Sequence, residues 1–341
     1  MKTHKHLWDE FISAENFDIA AKNALRGKKS KSAAKRFLRQ REAKLLKLRQ
    51  DLENGTFTTG RYHIFTVYEP KRRNVYMLPL YPDHIVHHAL MNVLTPIWQK
   101  LFISDSYACI PGRGLHPASQ RCITMLRRNK YVLQCDIRKF YPSINHEIMM
   151  KIIRRKISDK RIINLLENIV RSINDTHGLP IGNLTSQWLG NLYMHNLDMF
   201  VKQQMRVKDY IRYCDDFCLF ADDRKTLRRY RDTLREYIKN ELDLTFSKSF
   251  IKPTAAGISF IGYRHFKNHV VLTKAGARKI KRKVHNLINH PEISEHVRSQ
   301  ISSFSGWMRW AKCHNLKRKF RNDARQSTSS DFSRFFNKYL K

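Results

Sequence analysis

The alternation of apolar and polar positions divides the chain into a helical opening, a strand-rich middle and a helical close. After a basic loop at GKKSKS (27–32), Leu38, Leu45, Leu48 and Leu52 recur at the spacing of one helix face and Gly55 follows as a stop, so residues 1–54 read as helical and basic. Tyr62 to Val67 alternates like a strand, EPKRRN (69–74) reads as a basic turn, VYMLPL (75–80) as the returning strand, and a helix is expected from about Asp83 to Leu101. A helix near 116–128 precedes YVLQCDI (131–137), an apolar strand. Helices near 146–172, a Gly/Pro loop and a long helix near 184–206 lead to DYIRYCDDFCLFA (209–221). Those are two apolar runs separated by Asp215 and Asp216, a hairpin by spacing whose turn lacks the usual Asn-Gly or Asp-Gly. A helix over 224–240, short strands through 263, a hairpin near 270, two amphipathic helices and a basic tail from Lys312 complete the pattern. There is no internal repeat and no flexible linker.

Charge narrows the class. The 341 residues carry 65 Lys+Arg against 29 Asp+Glu, a net +36, while 42% hydrophobic and 11% aromatic content is too rich for a disordered chain. Such an excess of positive charge points to a polyanion as partner, nucleic acid above all. No apolar run reaches the roughly 18 to 20 residues of a membrane span and no signal peptide opens the chain, so no membrane role and a cytoplasmic location in a bacterial or phage-infected cell are expected. Cys109, Cys122, Cys135, Cys214, Cys218 and Cys313 show no CxxC pair or metal-ligand spacing and read as reduced, buried thiols. His84, His87 and His88 lack ligand partners and read as packing or RNA-facing residues.

Asp136 ends one apolar strand and Asp215 and Asp216 sit at a hairpin tip. If the two elements share a sheet, three carboxylates converge at one edge and repel one another unless a cation joins them. An all-oxygen donor set favours Mg²⁺, with Mn²⁺ as a substitute, over zinc. Two such ions are what nucleotidyl transfer uses. Read singly, Asp136 is equally a strand cap and the Asp pair a surface turn; together, between apolar strands, they point to a site.

CDIRKFYPSI (135–144), GLPIGNLTSQ (178–187) and YCDDF (213–217), in that order, resemble the catalytic and nucleotide motifs of reverse transcriptases. The likeness runs over about residues 60–310: FTVYEPKRRN resembles the fingers, SYACIPGRG the following family block, LTFSKS the motif of the pyrophosphate-facing lysine, and FIGY the primer grip. It implies an α+β right-hand polymerase with an antiparallel palm sheet backed by helices: a basic N-terminal extension (1–60), fingers (61–130), palm (131–265, with fingers helices inserted at about 146–180), and a helical thumb with basic tail (266–341). By the same resemblance Asp136, Asp215 and the Ile137 carbonyl hold two metal ions with Asp216 in support. Tyr141 is the steric gate that selects deoxynucleotides. Ile181, Gly182 and Gln187 lie at the incoming nucleotide, and Lys248 faces the leaving pyrophosphate. Lys71, Arg72 and Arg73 offer cations to the triphosphate, which of them being open. Phe260, Gly262 and Tyr263 form the primer grip, where Gly262 allows close approach of a primer. Trp307 and Trp310 belong to the thumb.

Relatives usually carry Gln before the Gly and Pro after the Ser of the third motif, where Ile181 and Gln187 stand here. This departure resembles the enzymes of diversity-generating retroelements, which copy a template-repeat RNA with errors at adenines and work with a small basic accessory protein. The family is itself related to group II intron enzymes, which usually continue into a maturase region; fewer than 40 residues follow Trp307 here, and the retron blocks are missing. PDHIV and Ile110 stand where relatives place arginines, so Arg113 and the basic N-terminal helix are expected to take over template grip. The alternatives are a defence-type or group II intron-like reverse transcriptase, a non-catalytic RNA-binding protein of the same fold, and a two-metal nuclease. The last does not need Tyr141 or a Gly-rich nucleotide motif, and binding alone does not need the three acids.

Overall fold

The computed structural model describes residues 3–68, 71–174, 176–289, 293–326 and 330–339. Glu69 and Pro70 of the expected basic turn lie outside them. Four helices open the chain, α1 (Trp8–Ile12), α2 (Ala14–Ala24), α3 (Ser32–Leu38) and α4 (Arg41–Glu53). Only Leu45, Leu48 and Leu52 of the expected stripe are buried; Leu38 is exposed. Strands β1 (His63–Val67) and β2 (Arg73–Met77) then form a two-stranded antiparallel hairpin, and α5 (Ile85–Gln99) follows a wide turn at Leu80–His84.

After α6 (Leu115–Arg128) come β3 (Tyr131–Ile137), the short α7 (Phe140–Ser143), α8 (His146–Arg154), α9 (Lys160–Val170) and α10 (Leu184–Met199). Helix starts follow from caps. Asn145 accepts from the amides of Glu147 and Ile148 at α8, and Asp159 from those of Arg161 and Ile162 at α9. The second Asp159 oxygen accepts from Trp8 N at 3.0 Å, tying α1 to α9. The long helix expected to about 206 is regular only to Met199 and then widens over Phe200–Gln204.

Next come β4 (Tyr210–Tyr213), β5 (Asp216–Ala221), α11 (Arg224–Asn240) and β6 (Phe246–Pro253). The central sheet is antiparallel throughout, in the order β4-β5-β3-β6. Strand alternation assigns its two faces. Leu133, Cys135, Ile137, Phe217 and Leu219 enter the main core with Leu227, Leu234 and Ile238 of α11 and the apolar side of α10. Val132, Cys218, Phe220 and Ile211 pack instead with Ala118, Cys122, Met125 and Leu126 of α6. Burying each large side chain stabilises by about 1.5–3 kcal/mol, so both faces resist a register slip. Asp136 continues the row of Val132 and Gln134, on the face opposite α11.

A small sheet of β7 (Ile258–Phe260), β8 (Tyr263–His265) and β9 (Val270–Leu272) leads into α12 (Lys274–Asn289), α13 (Glu295–Trp310), α14 (His314–Arg325) and α15 (Ser330–Tyr339). The sequence reads Lys312 onward as a basic tail. It folds as two helices because Phe320, Ala324, Phe332 and Phe336 bury with Ile301, Phe304 and Met308 of α13. The thiols of Cys122, Cys135, Cys218 and Cys313 are buried as expected, whereas Cys109 is exposed and Cys214 half-buried. His87 is buried with Nδ1 2.9 Å from Thr185 Oγ1, a packing role. Among the described residues no helix is long and apolar enough to cross a membrane.

Candidate active site

Tyr213, Asp216, Asp136 and Lys248 stand directly opposite one another across β4, β5, β3 and β6. Opposed residues of antiparallel neighbours point to one face with Cβ atoms about 5 Å apart, so the two carboxylates share a side of the sheet between a phenol and an ammonium. The pairing of β3 with β6 shifts register between Asp136 and Ile137, a bulge that ends the ladder at the acid. Ile137 itself is buried.

The hairpin differs from its expected form. Its turn is Cys214 and Asp215; Asp216 is already the first residue of β5, paired with Tyr213. Cys214 has φ 60°, a conformation normally left to glycine. What holds it is Arg212, fully buried on the opposite face of β4. The guanidinium donates to both oxygens of the fully buried Asp198 on α10 at 2.7 and 2.6 Å, to Asn191 Oδ1 at 3.1 Å and to the Cys214 carbonyl at 2.9 Å. Tyr210 completes the cluster by donating to Asp198 Oδ1 at 2.7 Å. The helix that begins at the nucleotide motif thus grips the turn that carries Asp215.

Three acids on one edge perturb each other. Burial, then the field of Asp136, raises Asp215 above the usual carboxylate range, with Arg73 opposing. Asp216 is pushed up to about 7, first by burial, then by Asp136 and Asp215, against Lys248 and Lys71. Asp136 Oδ2 accepts from Ser247 Oγ and lies 3.9 Å from Lys71 Nζ, an ion pair whose lysine is 64% exposed and therefore weak. Oxygen-only donors crowded enough to resist ionisation suit a hard divalent cation. Among the described residues no three His, Cys, Asp or Glu side chains close around an ion position.

The Asp216 shift gives a testable pH dependence. A carboxyl whose folded pKa is raised to about 7 from an ordinary 3.8 holds its proton better when folded, so the metal-free protein loses stability as pH rises from about 4 to 7. Asp216→Asn is expected to remove that increment in thermal melts run in a chelator, and a divalent cation to diminish it in the wild type. Parallel melting curves for the two proteins across this range would contradict the assignment.

The β1–β2 hairpin brings exposed bases to the acids. The Tyr76 amide donates to the Ile181 carbonyl at 2.8 Å, and at Gly182 (φ 131°) a Cβ would stand 2.5 Å from the Tyr76 carbonyl oxygen, so only glycine lets β2 dock. Lys71, Arg72 and Arg73 are all exposed, with Lys71 nearest Asp136 and Arg73 felt at Asp215. Ile181 is half-buried, Gln187 exposed on the first turn of α10 and Lys248 exposed. The Tyr141 hydroxyl, its pKa raised by burial and Cys214, lies 3.7 Å from Cys214 Sγ, so the ring abuts the turn that carries Asp215.

Four residues expected at the primer or template have protein partners in this structure. Arg113 spends its guanidinium on the carbonyls of Ile103, Ser106 (2.7 Å) and Phe102, holding a loop rather than a template. Phe260 and Tyr263 are buried in two apolar cores. At Gly262 (φ 84°) the close approach is made by Trp307 of α13, whose ring atoms lie 2.7 Å from where a Cβ would be. The Tyr263 hydroxyl also donates to the Trp307 carbonyl, so FIGY seats α13. Sequence reasoning missed Arg212, Asp198, Asn191 and Ser247. A charged residue amid the apolar YIRY and another amid NLDMF were the available signals.

Residues 71–265, more than half of the chain, match the family model "Reverse transcriptase (RNA-dependent DNA polymerase)", and the chain belongs to that family. It is 25% identical over 234 residues to protein YkfC of Escherichia coli K12, covering 55% of this chain and 61% of that protein. To the group II intron-encoded protein LtrA of Lactococcus lactis it is 26% identical over 173 residues, covering 48% of this chain and 29% of that protein. The chain therefore spans less than two thirds of these relatives. A structure of apo telomerase from Candida tropicalis superposes with a TM-score of 0.48 at 12% identity, over 64% of this chain and 55% of that one.

Proposed function

We propose that the protein is an RNA-directed DNA polymerase that copies an RNA template into cDNA, and that it serves a diversity-generating retroelement. The observation that carries the polymerase reading is the cross-strand pairing of Asp136 with Asp216 beside Asp215 at the turn. In this reading Asp136, Asp215, Asp216 and the Ile137 carbonyl hold two Mg²⁺ ions, or Mn²⁺ in their place. Bound there, the ions would lower the pKa of a primer 3′-hydroxyl and neutralise the transferring phosphoryl group. Lys71, Arg72 and Arg73 meet the triphosphate of a deoxynucleotide, Lys248 the departing pyrophosphate, and Tyr141 fills the space of a ribose 2′-hydroxyl. Residues 61–130, 131–265 and 266–341 act as fingers, palm and thumb behind the basic extension 1–60. Purified protein with RNA template, DNA primer, deoxynucleotides and Mg²⁺ should extend the primer. No extension would refute the reading.

The retroelement subclass rests on Ile181 and Gln187. An apolar Ile181 at the docking point of β2 takes away a polar contact that elsewhere helps fix sugar and base, and looser selection follows. Ile181→Gln is expected to lower misincorporation opposite template adenine severalfold, read by sequencing the cDNA. An unchanged error spectrum would sink this origin of infidelity. A small basic accessory protein would then assist synthesis on the element's RNA. The likeness to the group II intron-encoded protein LtrA favours a second reading, a group II intron-like enzyme, for which accurate copying at adenine is the distinguishing result.

A further inference from the structure

Helix α11 carries Arg224, Arg228, Arg231, Arg235 and Lys239, spaced four, three, four and four residues apart. At 100° per residue these fall on one flank of the helix, beside the buried Leu227, Leu234 and Ile238, and they run about 22 Å along the axis. All but Arg231 are exposed. Tyr230 and Tyr237 occupy the other flank, where Tyr237 stacks on Phe200 at 3.8 Å and bonds to the Asn196 carbonyl. The helix's two acids, Asp232 and Glu236, lie on the crest between; Asp232 reaches Arg231 at 3.2 Å and Arg235 at 3.9 Å. Arg224 lies over the Tyr131 ring of β3, and Arg231 and Arg235 are felt at Cys135, so the basic flank leans over β3.

This flank cannot serve the catalytic cleft. Cys135 and Leu133 point toward α11, while Asp136 points to the other face of the same sheet. A solvated surface helix ordinarily intersperses both signs on its exposed faces. Here five bases line one flank and, among the described residues, meet only Asp232 from the crest, which reaches Arg231 and Arg235; four of the five are arginines, whose planar fork suits phosphate oxygens better than a lysine ammonium does.

We propose that the basic flank of α11 binds the phosphate backbone of RNA lying outside the cleft, holding a structured part of the template molecule against the back of the palm. This goes beyond the polymerase reading and stands on a different face of the sheet. The test compares two probes: a short RNA template annealed to a DNA primer, which fills only the cleft, and a long hairpin-rich RNA ending in that template. The variant Arg228→Gln, Arg235→Gln, Lys239→Gln changes exposed side chains only, and its melting curve should match the wild type.

For the long RNA, its log–log salt slope should fall by about 2 to 3, one phosphate contact per base removed. Binding and extension of the short duplex should stay within about twofold of wild type, well below the effect on the long RNA. A control variant, Lys100→Gln, Lys160→Gln, Lys208→Gln, removes equal charge from other exposed positions and should leave the slope nearly unchanged. The proposal is overturned by an unchanged slope for the long RNA, by an equal loss on the short duplex, or by an equal effect of the control. It also falls if an acidic polypeptide displaces the long RNA from the wild type and not from the variant.

Discussion

Asp215→Asn should lower primer extension by at least about 10³-fold, a loss of about 4 kcal/mol in transition-state stabilisation, with little change in RNA affinity. The asparagine keeps the shape of the side chain and the turn keeps its anchor, because Arg212 binds the Cys214 carbonyl and not the carboxylate. What disappears is a negative charge in an edge already overloaded with it. Burial and Asp136 hold Asp215 above the ordinary carboxylate range, so its ionised form destabilises the metal-free fold. The variant should therefore melt at the same temperature or higher in chelator while losing activity, the combination expected where stability is given up for function. A structural aspartate predicts the reverse, lower stability and retained extension. Extension within tenfold of wild type, measured at equal template occupancy, would remove Asp215 from the chemistry.

Much of this was legible because the three acids lie at the ends of apolar strands, where alternation fixes both the strand and the side that its last residue faces. The hairpin forms where spacing placed it and pairs with the strand of Asp136 in one sheet, the condition on which the carboxylates converge, whereas the turn residues were misplaced by one. Spacing alone cannot tell which residue accepts a positive φ, and at Cys214 that choice follows from a buried arginine brought by β4 and an aspartate from α10, fourteen positions earlier. The protein partners of Arg113 and FIGY stayed hidden for a related reason. A lone arginine among glycines and two aromatics around a glycine look alike whether they face nucleic acid or protein; the difference lies in partners at Ile103, Ser106 and Trp307 that local pattern does not contain. The helical tail was hidden because 65 basic residues mask a sparse phenylalanine periodicity.

Asp198→Ala should be the most destabilising single change in the site. It strands Arg212, whose side chain has no exposed surface, and breaking one side of a buried pair costs about 3–5 kcal/mol in denaturant unfolding. Stability loss alone would not show that the pair positions the turn. Replacing both members with apolar residues of similar size, Asp198→Leu with Arg212→Met, separates the two effects. Desolvation is removed together with attraction, so such replacements can be nearly neutral for folding. The double variant should then recover most of the stability lost by Asp198→Ala. Extension should not recover, because the Cys214 carbonyl has lost its donor and a left-handed non-glycine residue has lost what kept it there. Asp215 would then sample positions from which Asp136 and Asp216 no longer face it. A double variant that is both stable and fully active would show that the pair only fills space, and that the strands alone set the turn.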